Sequence, residues 1–143
     1  DLGFETKLFP KAYVYHKRRI DWDKFSLQVN KFGKARPILN SWYPKYSKLT
    51  YFFPSIFIIG FYLSIVLLIF TFDLLFKIYC AYFLVLFLTA TIQTKSLKIG
   101  WLALVATWKQ FNGYGIGFLQ SFIRINVLKL KPELAFPELF FKK

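Results

Sequence analysis

The sequence predicts a mainly α-helical membrane protein, and three observations carry that expectation. Of 143 residues, 56% are hydrophobic and 22% aromatic, yet the formal charge is +13. A small water-soluble core has no use for so much apolar surface beside so many cations. No charged residue stands between Leu49 and Phe72, and a helix rising about 1.5 Å per residue covers the roughly 30 Å hydrocarbon layer over that length. A second uncharged run, Ile78–Thr94, follows at once. The chain opens on Asp1 and contains no methionine, which predicts that a segment is missing upstream. Its single cysteine, Cys80, excludes an intrachain disulfide and a multi-cysteine metal site.

Residues 1–20 read as two short strands, Thr6–Phe9 and Ala12–His16, broken by Pro10, because Tyr13, Val14 and Tyr15 favour extended backbone and proline interrupts it. Asp21 then reads as a helix N-cap, with Ile20 and Phe25 at the spacing of a hydrophobic staple. Trp22, Phe25, Val29 and Phe32 recur at helical intervals, which predicts an amphipathic helix over Asp21–Lys34. Its other face carries Lys24, Gln28, Lys31 and Lys34. That face suits an anionic lipid surface, and a helix packed on a soluble domain would show the same pattern. Pro37 and Pro44 bracket an expected loop whose Trp42, Tyr43 and Tyr46 are the ring types that gather where headgroups meet hydrocarbon. Residues 21–48 thus form an interfacial segment.

The membrane domain is expected over 49–123. Its first span is about 51–72, with Pro54 tolerated in the first turn. Its second is about 78–94, and the short 73–77 connection makes the two a helical hairpin. The third apolar stretch, 99–123, is long enough to cross but contains Lys109, Asn112 and glycines at 113, 115 and 117, so both a span and a re-entrant segment fit it. Residues 1–50 contain eleven lysines and arginines, the 73–77 turn one, the 95–98 connection two, and the basic tail 124–143 five. That imbalance predicts a multi-pass protein whose N-terminal part is cytoplasmic.

His16, the only histidine, sits beside Lys17, Arg18 and Arg19. An isolated histidine is most often an ordinary polar contact. Three cations after a strand suit either a diphosphate or lipid headgroups, since guanidinium forks match phosphate oxygens. Asp21 and Asp23 form an Asp-x-Asp string, which capping and the helix dipole explain.

The run from Gly3 to Arg19 (GFETKLFPKAYVYHKRR), followed by Phe25, Gln28, Phe32, Gly33 and Arg36, resembles the segment that closes the catalytic domain of bacterial family 2 glycosyltransferases. Gly113-Tyr114-Gly115-Ile116-Gly117-Phe118-Leu119 is similar to their last membrane segment. The resemblance implies that 1–20 is the edge of a GT-A domain lying upstream, and that the parent moves a sugar from a nucleotide-sugar to a lipid-linked or cell-envelope acceptor at the inner membrane. It implies that His16 helps an upstream Asp-x-Asp hold Mg²⁺ or Mn²⁺, and that Arg18 and Arg19 assist the donor diphosphate. Gln28 and Arg36 become acceptor-side candidates, although their spacing is not that of the family's Gln/Arg motif. The Asp-x-Asp ahead of His16 and the Glu-Asp base are absent, so residues 1–143 alone are expected to be inactive. The competing expectations are a small non-catalytic membrane subunit that binds anionic lipid, and a transporter part with Lys109 as intramembrane charge. Nucleic acid is not an expected partner, because basic residues interleaved with aromatics are what a membrane interface requires.

Overall fold

The computed structural model describes residues 7–13, 15 and 21–140. Among these the chain is mainly helical and no residue lies in a strand. The expected β segment is therefore corrected wherever it is described. Lys7–Phe9, Ala12, Tyr13 and Tyr15 are irregular, with a turn at Pro10 and Lys11 closed by the Ala12 N–H donating to the Phe9 carbonyl at 3.0 Å. Tyr15 is 94% exposed. A strand-favouring sequence with no partner strand leaves its N–H and C=O groups to water, and propensity alone does not hold it extended.

Helix α1 spans Trp22–Trp42. Asp21 caps it as expected, accepting from the Asp23 N–H at 2.8 Å and the Lys24 N–H at 3.4 Å. These donors, Asp23 first, hold the Asp21 carboxyl below the usual carboxylate range. The helix does not stop at Lys34 but runs through Pro37 to a cap at Tyr43, whose N–H donates to Leu39 O at 2.9 Å. A mid-helix proline forfeits one hydrogen bond and crowds the carbonyl four residues back, a penalty of about 3 kcal/mol. Pro37 is fully buried and shares the wall of a small cavity with Phe52, Phe118 and Phe122. The burial of its ring counts against that penalty.

Two 3₁₀ turns, Pro44–Tyr46 and Leu49–Phe52, lead into α2, Phe53–Ile69. Helix α3 spans Leu74–Thr94. With its 3₁₀ lead, the first of these covers Leu49–Ile69, and both 21-residue helices are long and apolar enough to cross a membrane. Helix α3 begins at Leu74, a turn before the expected Ile78, and Lys77 Nζ pairs with Asp73 Oδ2 at 2.6 Å across that first turn. The third apolar stretch is one unbroken helix, α4, Leu97–Phe122, capped by Ser96 Oγ accepting from the Ile99 N–H. A π-helical turn, Ile123–Val127, and two single-turn helices, α5 (Pro132–Ala135) and α6 (Pro137–Phe140), complete the described chain. Here Ile38, Ile125, Ala135 and Phe136 close a small apolar cluster.

Contacts fix how the helices sit. Going along α1, Trp22 and Phe25 share a cavity with Leu102 and Ala106. Further on, Ser26 meets Lys109, Asn30 meets Gly113 and Gly33 meets Tyr114 and Phe118. Both sequences ascend together, so α1 and α4 run parallel. Helix α4 in turn meets both arms of the α2–α3 hairpin. Its first turns lie on the end of α3, with Gly100 against Phe87 and Thr91. Its middle meets both arms, with Trp108 against Phe61 and Phe83. Its last turns lie on the start of α2, with Phe118 and Phe122 against Phe52. Both ends of α4 thus lie at the ends of the hairpin that are remote from the 70–73 turn. The α1–α4 pair bridges the hairpin's open mouth.

Candidate functional site

Glycines decide how closely the bridging pair approaches. Gly113 and Gly117 are one helical turn apart on the face of α4 that meets α1, while Gly115, about 200° round the axis between them, faces the start of α2. A Cβ on Gly117 would overlap the Asn30 carbonyl, and one on Gly33 would overlap the Tyr114 carbonyl and lie 2.9 Å from the Phe118 nitrogen. A Cβ on Gly115 would meet the Pro54 carbonyl at 2.8 Å. The obstacles at all three are backbone, which no side-chain rotation clears. Small residues on facing helices allow this kind of contact, and interhelical hydrogen bonds then follow. Asn30 Nδ2 donates to Gly113 O at 3.0 Å, and Ser55 Oγ donates to Gly115 O at 3.0 Å in a buried setting.

Beside this seam lies a cleft of about 650 Å³ between α1, α3 and α4. One wall is apolar, built from Phe83, Trp101, Leu104, Val105 and Trp108. The other carries Ser26, Asn30, Lys109 and Asn112. Lys109 Nζ donates to Ser26 Oγ at 3.3 Å, and that hydroxyl donates to Trp22 O at 2.8 Å. Asn112 Nδ2 donates to Trp108 O at 3.2 Å. No aspartate or glutamate lines the cleft, and among the described residues the ion pairs join Lys24, Lys34 and Lys77 to carboxylates, not Lys109. The half-buried Lys109 ammonium therefore has a neutral oxygen as its protein partner and N–H capacity left over.

Of the residues the sequence singled out, His16, Arg18 and Arg19 lie outside the described residues. Gln28 and Arg36 both sit half-buried on α1. They are two turns apart, about 12 Å along the axis, and the structure does not bring them together. The Arg36 guanidinium lies over the Tyr51 ring, 4.2 Å from its centroid, and faces the Tyr114 hydroxyl. It ties α1 to the start of the hairpin and to α4. Among the described residues no three His, Cys, Asp or Glu side chains are grouped to hold a metal ion, so these residues supply no site for Mg²⁺ or Mn²⁺. Ser26 and Asn30 were not singled out from sequence. Their signal was their spacing, since Ser26, Asn30 and Gly33 share one helical face of α1.

Fold and site together define a mainly helical chain in which two helices are long and apolar enough to cross a membrane and two others pair in parallel beside a cationic, aromatic-walled cleft. Comparison with protein-family models, with curated proteins and with solved structures finds no match to this chain.

Proposed function

We propose that this chain is the membrane-anchoring part of a bacterial family 2 glycosyltransferase that moves a sugar from a nucleotide-sugar to a lipid-linked or cell-envelope acceptor. The observation that carries it is the parallel α1–α4 pair. The segment resembling the edge of a catalytic domain feeds directly into α1, and α1 is fastened to the helix that bridges the hairpin. A donor-binding domain ahead of it would then be held at the bilayer surface, where a lipid-linked acceptor presents its reactive group. In this arrangement α2 and α3 cross the membrane and α4 neither crosses nor re-enters. From Lys24 to Lys131, every lysine and arginine other than Lys77 belongs to α1, to α4 or to the connections and turns flanking them. Those charges then share the cytoplasmic face, in keeping with the bias of positive residues toward that side. Mg²⁺ or Mn²⁺ would belong to the upstream domain, with His16 completing its ligands and Arg18 and Arg19 beside the donor diphosphate.

The decisive test is the coding sequence immediately ahead of Asp1, joined to sugar transfer by the full-length protein in membranes. The expected result is an upstream Asp-x-Asp and Glu-Asp, metal-dependent transfer, and lower turnover with partial rescue by Mn²⁺ in His16→Ala. Residues 1–143 alone should transfer nothing. An upstream region lacking both acidic motifs would overturn the reading. It would leave a non-catalytic membrane subunit that binds anionic lipid, which the exposed Lys24, Lys31, Lys45 and Lys48 favour.

A further inference from the structure

We propose that the cleft between α1, α3 and α4 binds a lipid phosphate, with its anionic head at Lys109 and its hydrocarbon chain along Trp101, Leu104 and Val105. A cation that is drawn from water and left against an apolar wall is costly unless an anion meets it. The described chain offers Lys109 only the Ser26 hydroxyl. The polar groups that converge on the same spot are suited to donate. Lys109 has N–H groups to spare, and the Asn30 and Asn112 amides, each with one N–H engaged by a backbone carbonyl, have a second. A phosphate, with three or more acceptor oxygens and no required donor, matches that set better than a zwitterion or a sugar hydroxyl.

The opposite wall rejects a free phosphate as the natural occupant. Trp101, Leu104, Val105, Phe83 and Trp108 give a small anion nothing and offer an alkyl chain continuous apolar contact. The cleft is therefore amphipathic in the sense of a lipid, with a charged end beside α1 and an apolar stretch along α4 that includes Phe83 of α3. If the hairpin crosses the membrane, as proposed above, the charged end lies at headgroup depth and the apolar end at acyl depth. Binding itself does not depend on that orientation, nor on any transferase activity.

The test uses the chain in neutral detergent, read by the fluorescence of Trp101 and Trp108 in a Trp22→Phe, Trp42→Phe background. Dodecyl phosphate should give a saturable change that neither inorganic phosphate nor dodecanol reproduces. Lys109→Gln should weaken it about tenfold or more, the effect of removing a charge-assisted hydrogen bond. Lys98→Gln, outside the cleft, should leave it unchanged. Val105→Phe keeps the ammonium and the two reporter tryptophans but fills the apolar wall, and should abolish binding while circular dichroism stays native. This second variant carries the test if Lys109→Gln does not fold. Equal binding by either cleft variant overturns the proposal. So does equal binding of inorganic phosphate, which would make this a free-anion site, or of dodecanol, which would make it a plain apolar groove. Failure here leaves the proposed transferase untouched, since that reading stands or falls on the upstream sequence and on sugar transfer.

Discussion

The α1–α4 seam and the α2–α3 hairpin are both helix pairs, but they are held together in different ways. Across the seam the backbones touch at glycines, a polar side chain donates to a facing carbonyl, and Val29 and Phe118 are 3% and 1% exposed. In the hairpin, α3 has no buried residue at all. Ile59, Leu63, Val85 and Ile92 face outward, and the arms meet through aromatic edges such as Phe57 on Tyr79 and Phe61 on Phe83. In water those outward faces would drive aggregation, whereas in hydrocarbon they are already solvated. The difference teaches that specificity resides in the seam. The hairpin rests mainly on being apolar and long, with a polar contact between its arms, Tyr79 Oη donating to the Phe57 carbonyl at 2.8 Å, while the bridging pair needs particular residues at particular positions.

The largest expected effects come from closing the seam's gaps. Gly33→Ala and Gly117→Ala each gain about 1 kcal/mol of helix propensity. Each also drives a methyl into facing backbone, where overpacking costs typically 1–3 kcal/mol and more when nothing can rotate away. A net loss of about 2 kcal/mol should appear as a lower thermal midpoint in detergent. Gly60→Ala is the hairpin's counterpart. Its methyl would press on the far end of Tyr79, 2.5 Å from the hydroxyl that donates to Phe57 O. That ring can shift, so the lost hydrogen bond and the propensity gain, each about 1 kcal/mol, should nearly cancel. If Gly60→Ala proves as damaging as Gly33→Ala, the contrast between the two regions fails.

A smaller effect is expected at the junction of the two regions. Ser55→Ala removes the buried hydroxyl that donates to Gly115 O, and should destabilise by about 1 kcal/mol. The Gly115 carbonyl remains engaged in the α4 helix, so no orphaned group adds to the loss. A native midpoint in Ser55→Ala would show that this contact follows from close packing and does not help to create it.

How far the sequence foretold this differs between the regions for the same reason. The uncharged runs Leu49–Phe72 and Ile78–Thr94 announce the hairpin because apolarity and length are local properties. Helix α1 was cut short in expectation because Pro37 reads as a terminator, and the aromatic surroundings that let the helix continue come from Phe52, Phe118 and Phe122, distant in sequence. The glycines at 113, 115 and 117 read as a flaw in a membrane span. Their partners, Val29, Asn30 and Pro54, become visible only when α1 lies beside α4 and α2 behind it. Lys109 was legible as an anomaly, but its cleft was not, since Ser26 lies 83 residues away from it and Asn30 lies on the same distant helix. His16, Arg18 and Arg19 fall outside the described residues.

The smallest expected effect lies where the chain after α4 returns to α1. Glu138 Oε1 accepts from Lys34 Nζ at 3.2 Å. Its own backbone N–H, ahead of Lys34, holds its carboxyl below the usual range. A depressed carboxylate pKa contributes stability that is present above the unfolded-state value, about 4.3, and is lost as pH falls through the folded value. The side chain is about half exposed, so solvent screening keeps the contribution small. Glu138→Gln should flatten the fall in thermal midpoint below about pH 4.3 and leave neutral pH nearly unchanged. An undiminished fall in the variant would assign the acid sensitivity elsewhere.

The parallel α1–α4 pair is the claim on which the rest depends, and a disulfide tests it most directly. A Cβ built on Gly113 lies 3.4 Å from Val29 Cβ, next to the roughly 3.5–4.5 Å that a disulfide requires. In a Cys80→Ser background, Val29→Cys with Gly113→Cys should cross-link under mild oxidation, both in membranes and in detergent. Val29→Cys with Leu88→Cys, which places the second thiol on the exposed face of α3, should not. A folded Val29/Gly113 double-cysteine chain that stays reduced, or one that oxidises no faster than the α3 control, would contradict the seam and the bridging arrangement built on it.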